Sequence, residues 1–251
     1  MITIKNKAAI AKMEEAGKRL ATIFDKLPSI IEVGLSTLAI DAWIEERQRQ
    51  YGLVSKSKGY KGYKYVSCIS VNDEVVHGVP SVAKKLQVGD LVKVDVCAAW
   101  NGYCADMARM YFVENAAPRS QQFVEAAQRS LNQGIAKAYA GNRLSDISYA
   151  IQSEIEASSY GIVRDFAGHG IGKMMHEDPE ILNFGQPGHG PILRPGMALA
   201  LEPMITMGSH KIVVLDDGWT AKTVDGSLAA HIEDTVIITD AEPKIITRPG
   251  T

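Results

Sequence analysis

The chain has 251 residues, enough to bury a large core as one sizeable domain or two small ones. Hydrophobic residues make up 46% and charged residues 22%, and a net charge of −2 gives no global pull toward nucleic acid or a membrane surface. No run approaches the ~18 apolar residues of a spanning helix, Glu14 and Glu15 interrupt any signal-peptide core, and three cysteines (Cys68, Cys97, Cys104) without zinc-type spacing point to a reduced, cytoplasmic protein.

Apolar residues at helical spacing predict a first helix between Ile4 and Phe24, closed by Pro28. A second is expected to begin at Ser36 or Thr37 and to end before Gly52. Phe123, Ala127, Leu131 and Ile135 form an i, i+4 stripe after Pro118, ended by Gly141, and a fourth helix follows Ser145 with Ile147, Ile151 and Ile155 on one face. Leu35-Ser36 and Tyr51-Gly52 return 109 positions later as Leu144-Ser145 and Tyr160-Gly161. The strand Leu86–Asp95 has its echo in Leu193–Glu202, each with a Gly turn delivering a carboxylate six residues on. Two α/β halves are therefore expected, roughly 1–115 and 116–251. They would form a single domain over 1–251 with a pseudo-twofold axis, since no Pro/Gly/Ser-rich linker divides them.

The strand Leu91-Val-Lys-Val-Asp95 is apolar yet ends in a carboxylate, and the Asn101-Gly102 turn signal brings Asp106 back alongside it. Paired ionised carboxylates in a buried hairpin repel and lose hydration unless a proton or a cation lies between them. A surface hairpin with two solvated aspartates is the alternative. The apolar flanks Val92, Val94, Val96, Met107 and Met110 favour burial. The segment Asp165–His176 sets His169 and His176 among three glycines, which permit close backbone approach. Glu202 ends the apolar strand Leu199-Ala-Leu, Glu233 precedes another, and neither has Lys or Arg two residues away. Asp95, Asp106, His169, Glu202 and Glu233 make a hard, oxygen-rich set with one imidazole, suited to two bridged divalent ions such as Mn, Fe, Co or Zn. Such a pair activates water and polarises a carbonyl, the requirements of hydrolysis.

The order Asp, Asp eleven positions on, Gly-His-Gly-Ile-Gly, a second His, Glu-Pro and Glu resembles the methionine aminopeptidases of the pita-bread fold. Val75-Val-His77-Gly-Val-Pro80, Asn72, Gly59-Tyr60-Lys-Gly-Tyr63 and Cys68 extend the likeness over nearly the whole chain. The resemblance implies an α+β fold, two α/β halves around a central antiparallel sheet. It implies a hydrolase that removes the initiator methionine from nascent polypeptides when the second residue is small. By this likeness Asp95 chelates one metal, Asp106 and Glu233 bridge both, and His169 and Glu202 bind the other. Glu202 is also a candidate base, while His77 and His176 hold the substrate amide and support the tetrahedral intermediate. Tyr60, Tyr63, Cys68, Met175 and Trp219 match positions around the methionine pocket, though each taken singly also reads as ordinary core. The resemblance further implies a monovalent cation near Asn72, and nascent N-termini at the ribosome as partners of a cytoplasmic monomer that binds neither specific nucleic acid nor membrane.

Only 31 positions separate Glu202 from Glu233, without the helical insertion of type II enzymes, and no zinc-finger extension precedes the catalytic unit, so the likeness is to the short bacterial type I form. Departures are Gly102-Tyr-Cys104-Ala105-Asp106 in place of Gly-x-His-Gly-Asp, Cys97 where Thr is common, Met175 for Phe, and His231 where Gln is frequent. His231 shares a face with Glu233, so it either serves in packing, the expected role, or approaches a metal. His189 and His210 receive no role. The rivals are an Xaa-Pro aminopeptidase or prolidase, for which too few residues precede His77, and a non-catalytic pita-bread binding module, which would be expected to have lost ligands.

Overall fold

A computed structural model describes residues 1–248. Helices α1 (Lys7–Phe24) and α2 (Thr37–Gln50) come first, then strands β1 (Val54–Ser55), β2 (Cys68–Val71), β3 (Glu74–Val76), β4 (Leu91–Trp100) and β5 (Tyr103–Phe112). Helices α3 (Pro118–Ile135) and α4 (Leu144–Ala157) follow, with β6 (Gly161–Ile162), β7 (Gly168–Gly170), β8 (Glu177–Ile181), β9 (Ala198–Leu201) and β10 (Met204–Thr206). Strands β11 (Ile212–Val214), β12 (Ala221–Thr223), β13 (Ala229–His231), β14 (Asp234–Ile237) and β15 (Lys244–Ile245) complete the chain.

Helix α1 starts at Lys7, later than its apolar spacing suggests, because the Asn6 side chain accepts the Ala9 N–H at 2.9 Å and sets the first turn. Residues before it run extended, with Lys5 N–H donating to Gly196 O. Met13, Ala16, Leu20 and Phe24 form the buried face of α1, which packs on β4 and β5. Ser36 caps α2 as expected. Ser145 does not cap α4: the helix begins one residue earlier, with Asp146 accepting the Arg143 N–H, while the Ser145 hydroxyl accepts from His189 N–H. Helix α3 ends at Ile135, six residues before Gly141.

The internal repeat has one displacement, and it is 107 rather than 109. Ser36 bridges Lys85 as Arg143 bridges Ile192. Gly34 N–H donates to Leu86 O as Gly141 N–H does to Leu193 O, and Leu53 N–H donates to Gln48 O as Tyr160 N–H does to Ile155 O. The structural counterparts of Tyr51-Gly52 are thus Ser158-Ser159, and Gly52 and Ser159 share left-handed φ values of 65° and 59°. The Leu-Ser and Tyr-Gly dipeptide matches are out of step with the backbone by two residues.

Every strand pairing among the described residues is antiparallel. β4 lies between β2 and β5 in one sheet, and β15, β14, β9, β7 and β8 form another in that order. A bridge between Ala108 and Glu233 joins the two. One hydrophobic cluster sits under α1 and α2 against β4 and β5, and a second under α3 and α4 against β9 and β14. Helices on the outside and sheets inside, with pseudo-twofold symmetry, bring the strand ends that carry carboxylates together at the centre.

Candidate metal centre and substrate cleft

The hairpin register decides where its acids point. Asn101 and Gly102 both take positive φ, 46° and 80°, the two-residue turn whose twist matches antiparallel strands. Cys97 then faces Asp106 and Asp95 faces Ala108, which puts Asp95, Cys97 and Asp106 on one side of the sheet. Burial and the neighbouring Asp106 carboxylate push the Asp95 carboxyl well above its ordinary range. Glu233 enters from the other sheet, its backbone held by Ala108 on both polar groups and by Arg109, which also pairs with fully buried Asp234. Thr235 exchanges hydrogen bonds with the Asp106 backbone, fixing β14 against β5.

His169 stands mid-β7 between β8 and β9. A Cβ on Gly168 would lie 2.5 Å from Ala200 O and one on Gly170 would lie 2.0 Å from Asp178 O, so glycine on both sides lets the neighbouring strands close around this histidine. The His169 Nδ1 is 2.9 Å from Gly170 O and donates to it, which leaves the Nε2 lone pair facing the carboxylates. That nitrogen is 3.6 Å from Glu202 Oε1 and 3.9 Å from Asp106 Oδ2. Desolvation lowers the imidazole to about 4, so it is neutral at pH 7. On the far side of Glu202, His231 Nε2 stands 3.2 Å from Oε2.

The donor set fits a cation. Ligand atoms of Asp106, His169 and Glu233 lie within 4.8 Å of one another. Asp106 Oδ1 and Glu233 Oε1 are buried without a hydrogen-bond partner, a costly state for carboxylate oxygens unless charge is supplied. Desolvation pushes Asp106 up to about 7 and Glu202 up to about 8, and it raises Asp95 and Glu233 too, with neighbouring carboxylates adding to both. Neutral imidazole plus crowded carboxylates is the ligand chemistry of a hard or borderline divalent ion.

All twelve residues singled out in the sequence line one cavity of about 910 Å³. Buried Tyr63 donates to Ser67 O and meets Trp219 edge-on, with ring centroids 4.9 Å apart. Cys68 pairs with Asp95 across β2 and β4, so the sulfur borders the acid cluster. His176 sits at the exposed rim, 3.2 Å from the Tyr60 hydroxyl and edge-on to His169 at 4.5 Å. His77 adopts φ 59° and stacks edge-on to Phe166, and desolvation lowers it to about 4.

Phe166 and the direct contact of His231 with Glu202 escaped the sequence reading; only the proximity of Phe166 to the His169 glycine segment hinted at the first. Cys97 stands directly across the hairpin from Asp106, and Cys104, two residues before Asp106, shares that face, so the two cysteine departures from the family pattern lie together beside the acids. Near Asn72, where the resemblance implies a monovalent cation, the Lys93 ammonium donates to Asn72 O at 2.8 Å. Alternation in a half-buried strand would have exposed this residue, but both faces of β4 are covered.

Residues 11–240 match a family model described as metallopeptidase family M24. A methionine aminopeptidase of Clostridium acetobutylicum is 42% identical over 247 residues, covering 98% of this chain and 99% of the relative. The crystal structure of methionine aminopeptidase from Thermotoga maritima superimposes with a TM-score of 0.97 at 41% identity, covering 99% of this chain and 100% of that one. A prolidase from Pyrococcus furiosus superimposes at 0.81 with 22% identity over 66% of its length, a likeness of fold alone. The fold is the pita-bread fold, and the chain belongs to metallopeptidase family M24, among its methionine aminopeptidases of the bacterial type I form.

Proposed function

We propose that the protein removes the N-terminal methionine from nascent polypeptides whose second residue is small, using two divalent ions of the Mn, Fe, Co or Zn group. The observation that carries this reading is the meeting of two unpartnered carboxylate oxygens, Asp106 Oδ1 and Glu233 Oε1, with the free Nε2 of His169 in a cleft rimmed by sulfur and aromatic groups. Asp95, Asp106, His169, Glu202 and Glu233 would hold the ions. When bound, divalent metal supplies Lewis-acid activation of water and of the scissile carbonyl.

The chain's own residues do the rest. Glu202, held beside His231, would take the proton from the attacking water once bound divalent charge keeps its carboxyl ionised. Tyr60 donates its hydroxyl hydrogen to His176 Nδ1, which leaves the proton of the neutral imidazole on Nε2, ready to donate to the developing oxyanion. His77 holds the substrate amide, kept neutral by its desolvation. The substrate α-amine settles among the acids, and its thioether lies against Tyr60, Tyr63, Cys68, Met175 and Trp219, soft and aromatic surfaces that suit an unbranched side chain. His77 and the glycine-bordered His169 segment leave little room past the scissile bond. The whole chain works as one catalytic domain with halves at roughly 1–115 and 116–251, as a cytoplasmic monomer acting on N-termini at the ribosome. No helix among the described residues is long and apolar enough to cross a membrane.

The test is kcat/KM of the metal-loaded protein on Met-Ala-Ser, Val-Ala-Ser, Met-Lys-Ser and N-formyl-Met-Ala-Ser. The first should be cut far faster than the others. Equal rates on Met-Ala-Ser and on either Met-Lys-Ser or the formylated peptide overturn the proposal, and efficient cleavage of Val-Ala-Ser removes the methionine pocket.

A further inference from the structure

Lys93 sits mid-β4 on the same face as Asp95, 1% exposed, and among the described residues its ammonium forms no ion pair, with Glu74, Asp73 and Asp90 acting on it only at longer range. Its Nζ donates instead to two backbone carbonyls, Asn72 O at 2.8 Å and Ala229 O at 3.0 Å. Those carbonyls come from the two halves of the chain. Asn72, in the turn between β2 and β3, is held at φ 52°, and its side chain is clamped by Asp90 and the Leu91 N–H. Ala229 opens β13 and donates its own N–H to Asn72 O. Two residues on, His231 reaches Glu202, and two further on stands Glu233. The ammonium therefore ties the strand of Asp95 to the segment that carries Glu233 and the partner of Glu202.

Backbone carbonyls converging on one buried positive charge are how proteins coordinate alkali ions. We propose that Lys93 is a covalently tethered replacement for a bound monovalent cation: its ammonium neutralises the Asn72 and Ala229 carbonyls and positions the Ala229–Glu233 segment. The divalent site then assembles without sodium or potassium, and shortening Lys93 turns the protein into one that needs an alkali ion. Lys93 is a positioning residue, acting through Ala229 and Glu233. The inference uses the metal-site reading only for the divalent-affinity readout, while thermal stability tests it independently of any substrate.

The experiment compares the full-length protein and Lys93→Ala in potassium, sodium or tetramethylammonium chloride at equal ionic strength, reading Tm and Mn²⁺ affinity by calorimetry. The parent protein should be indifferent to the cation in both readouts. Lys93→Ala in tetramethylammonium should melt several degrees lower and bind Mn²⁺ about tenfold more weakly, and potassium or sodium should restore both. Potassium dependence of the parent protein overturns the proposal. So does a Lys93→Ala variant that matches the parent in tetramethylammonium, or one whose losses no alkali ion repairs, since a merely structural lysine would give that last pattern. Should Lys93→Ala yield no folded protein in any salt, Lys93→Asn must show the alkali-specific rescue, and its absence there has the same force.

Discussion

His231 Nε2 lies 3.2 Å from Glu202 Oε2, a contact between the end of β13 and the residue that follows β9. Desolvation holds this buried imidazole down at about 4, so it is neutral and its Nε2–H serves the carboxylate as a single hydrogen-bond donor. The sequence leaves His231 between packing and an approach to a metal; the geometry places it against Glu202, the side chain proposed as a metal ligand, where it would fix that carboxyl's orientation. His231→Leu should weaken divalent-metal binding by about 10–100-fold, the usual cost of losing such a partner, while His231→Gln keeps a donor and most of the affinity. Titration calorimetry with Mn²⁺ separates the two, and equal affinities for both variants would remove the orienting role.

His176 offers a different signature. It touches Tyr60 and the His169 ring from the cleft rim and is assigned to the developing oxyanion. His176→Ala should lower kcat by roughly 10²–10³-fold, the typical effect of removing one such donor, with metal content unchanged by elemental analysis. Loss of stoichiometric metal would make it a ligand.

Glycine at 170 is a steric requirement, since a Cβ there would lie 2.0 Å from Asp178 O and 3.0 Å from Glu177 O. Gly170→Ala should force β7 and β8 apart, cost about 1–3 kcal/mol of stability and shift His169 enough to reduce metal affinity. Chemical denaturation and calorimetry measure the two effects, and unchanged values in both would contradict the packing account.

Metal removal should expose a pH dependence of stability. Asp106, at about 7 against an ordinary 3.8, and Glu202, at about 8 against 4.5, bind protons in the folded state that the unfolded chain has released. Asp95 and Glu233 are raised in the same sense. Stability of the stripped protein should therefore fall as pH rises from about 6.5 to about 8. The lowered histidines contribute below that window, and Lys93, lowered to about 7, opposes the trend as one group against four. Saturating Mn²⁺ should abolish the slope. A Tm of the stripped protein that rises through this window would show that the acids are not desolvated as described.

Much of the site was legible in the primary structure because its signals are local. A carboxylate ending an apolar strand, Asn101-Gly102 between two strands, and glycines around His169 each follow from backbone sterics or burial cost over a few residues. Those rules by themselves determined the hairpin, the shared face of Asp95 and Asp106 and the order of the helices, and they singled out His169, His176, Glu202 and Glu233. His77 and the residues around the methionine pocket came from the family resemblance, and all twelve line one cavity. The tertiary structure decided what depends on partners distant in sequence. Repeat register is set by backbone pairing such as Ser36 with Lys85 and Arg143 with Ile192, which dipeptide identity does not report, hence 107 rather than 109. Helix α4 starts at Leu144 rather than after Ser145, whose hydroxyl accepts from His189 N–H, 44 residues away. His231 became a partner of Glu202, and Lys93 the cation between Asn72 and Ala229, because acceptors from remote segments reach them only when the two halves pack. A buried polar group takes the partner the fold brings within hydrogen-bond distance, and no periodicity along the chain encodes that distance.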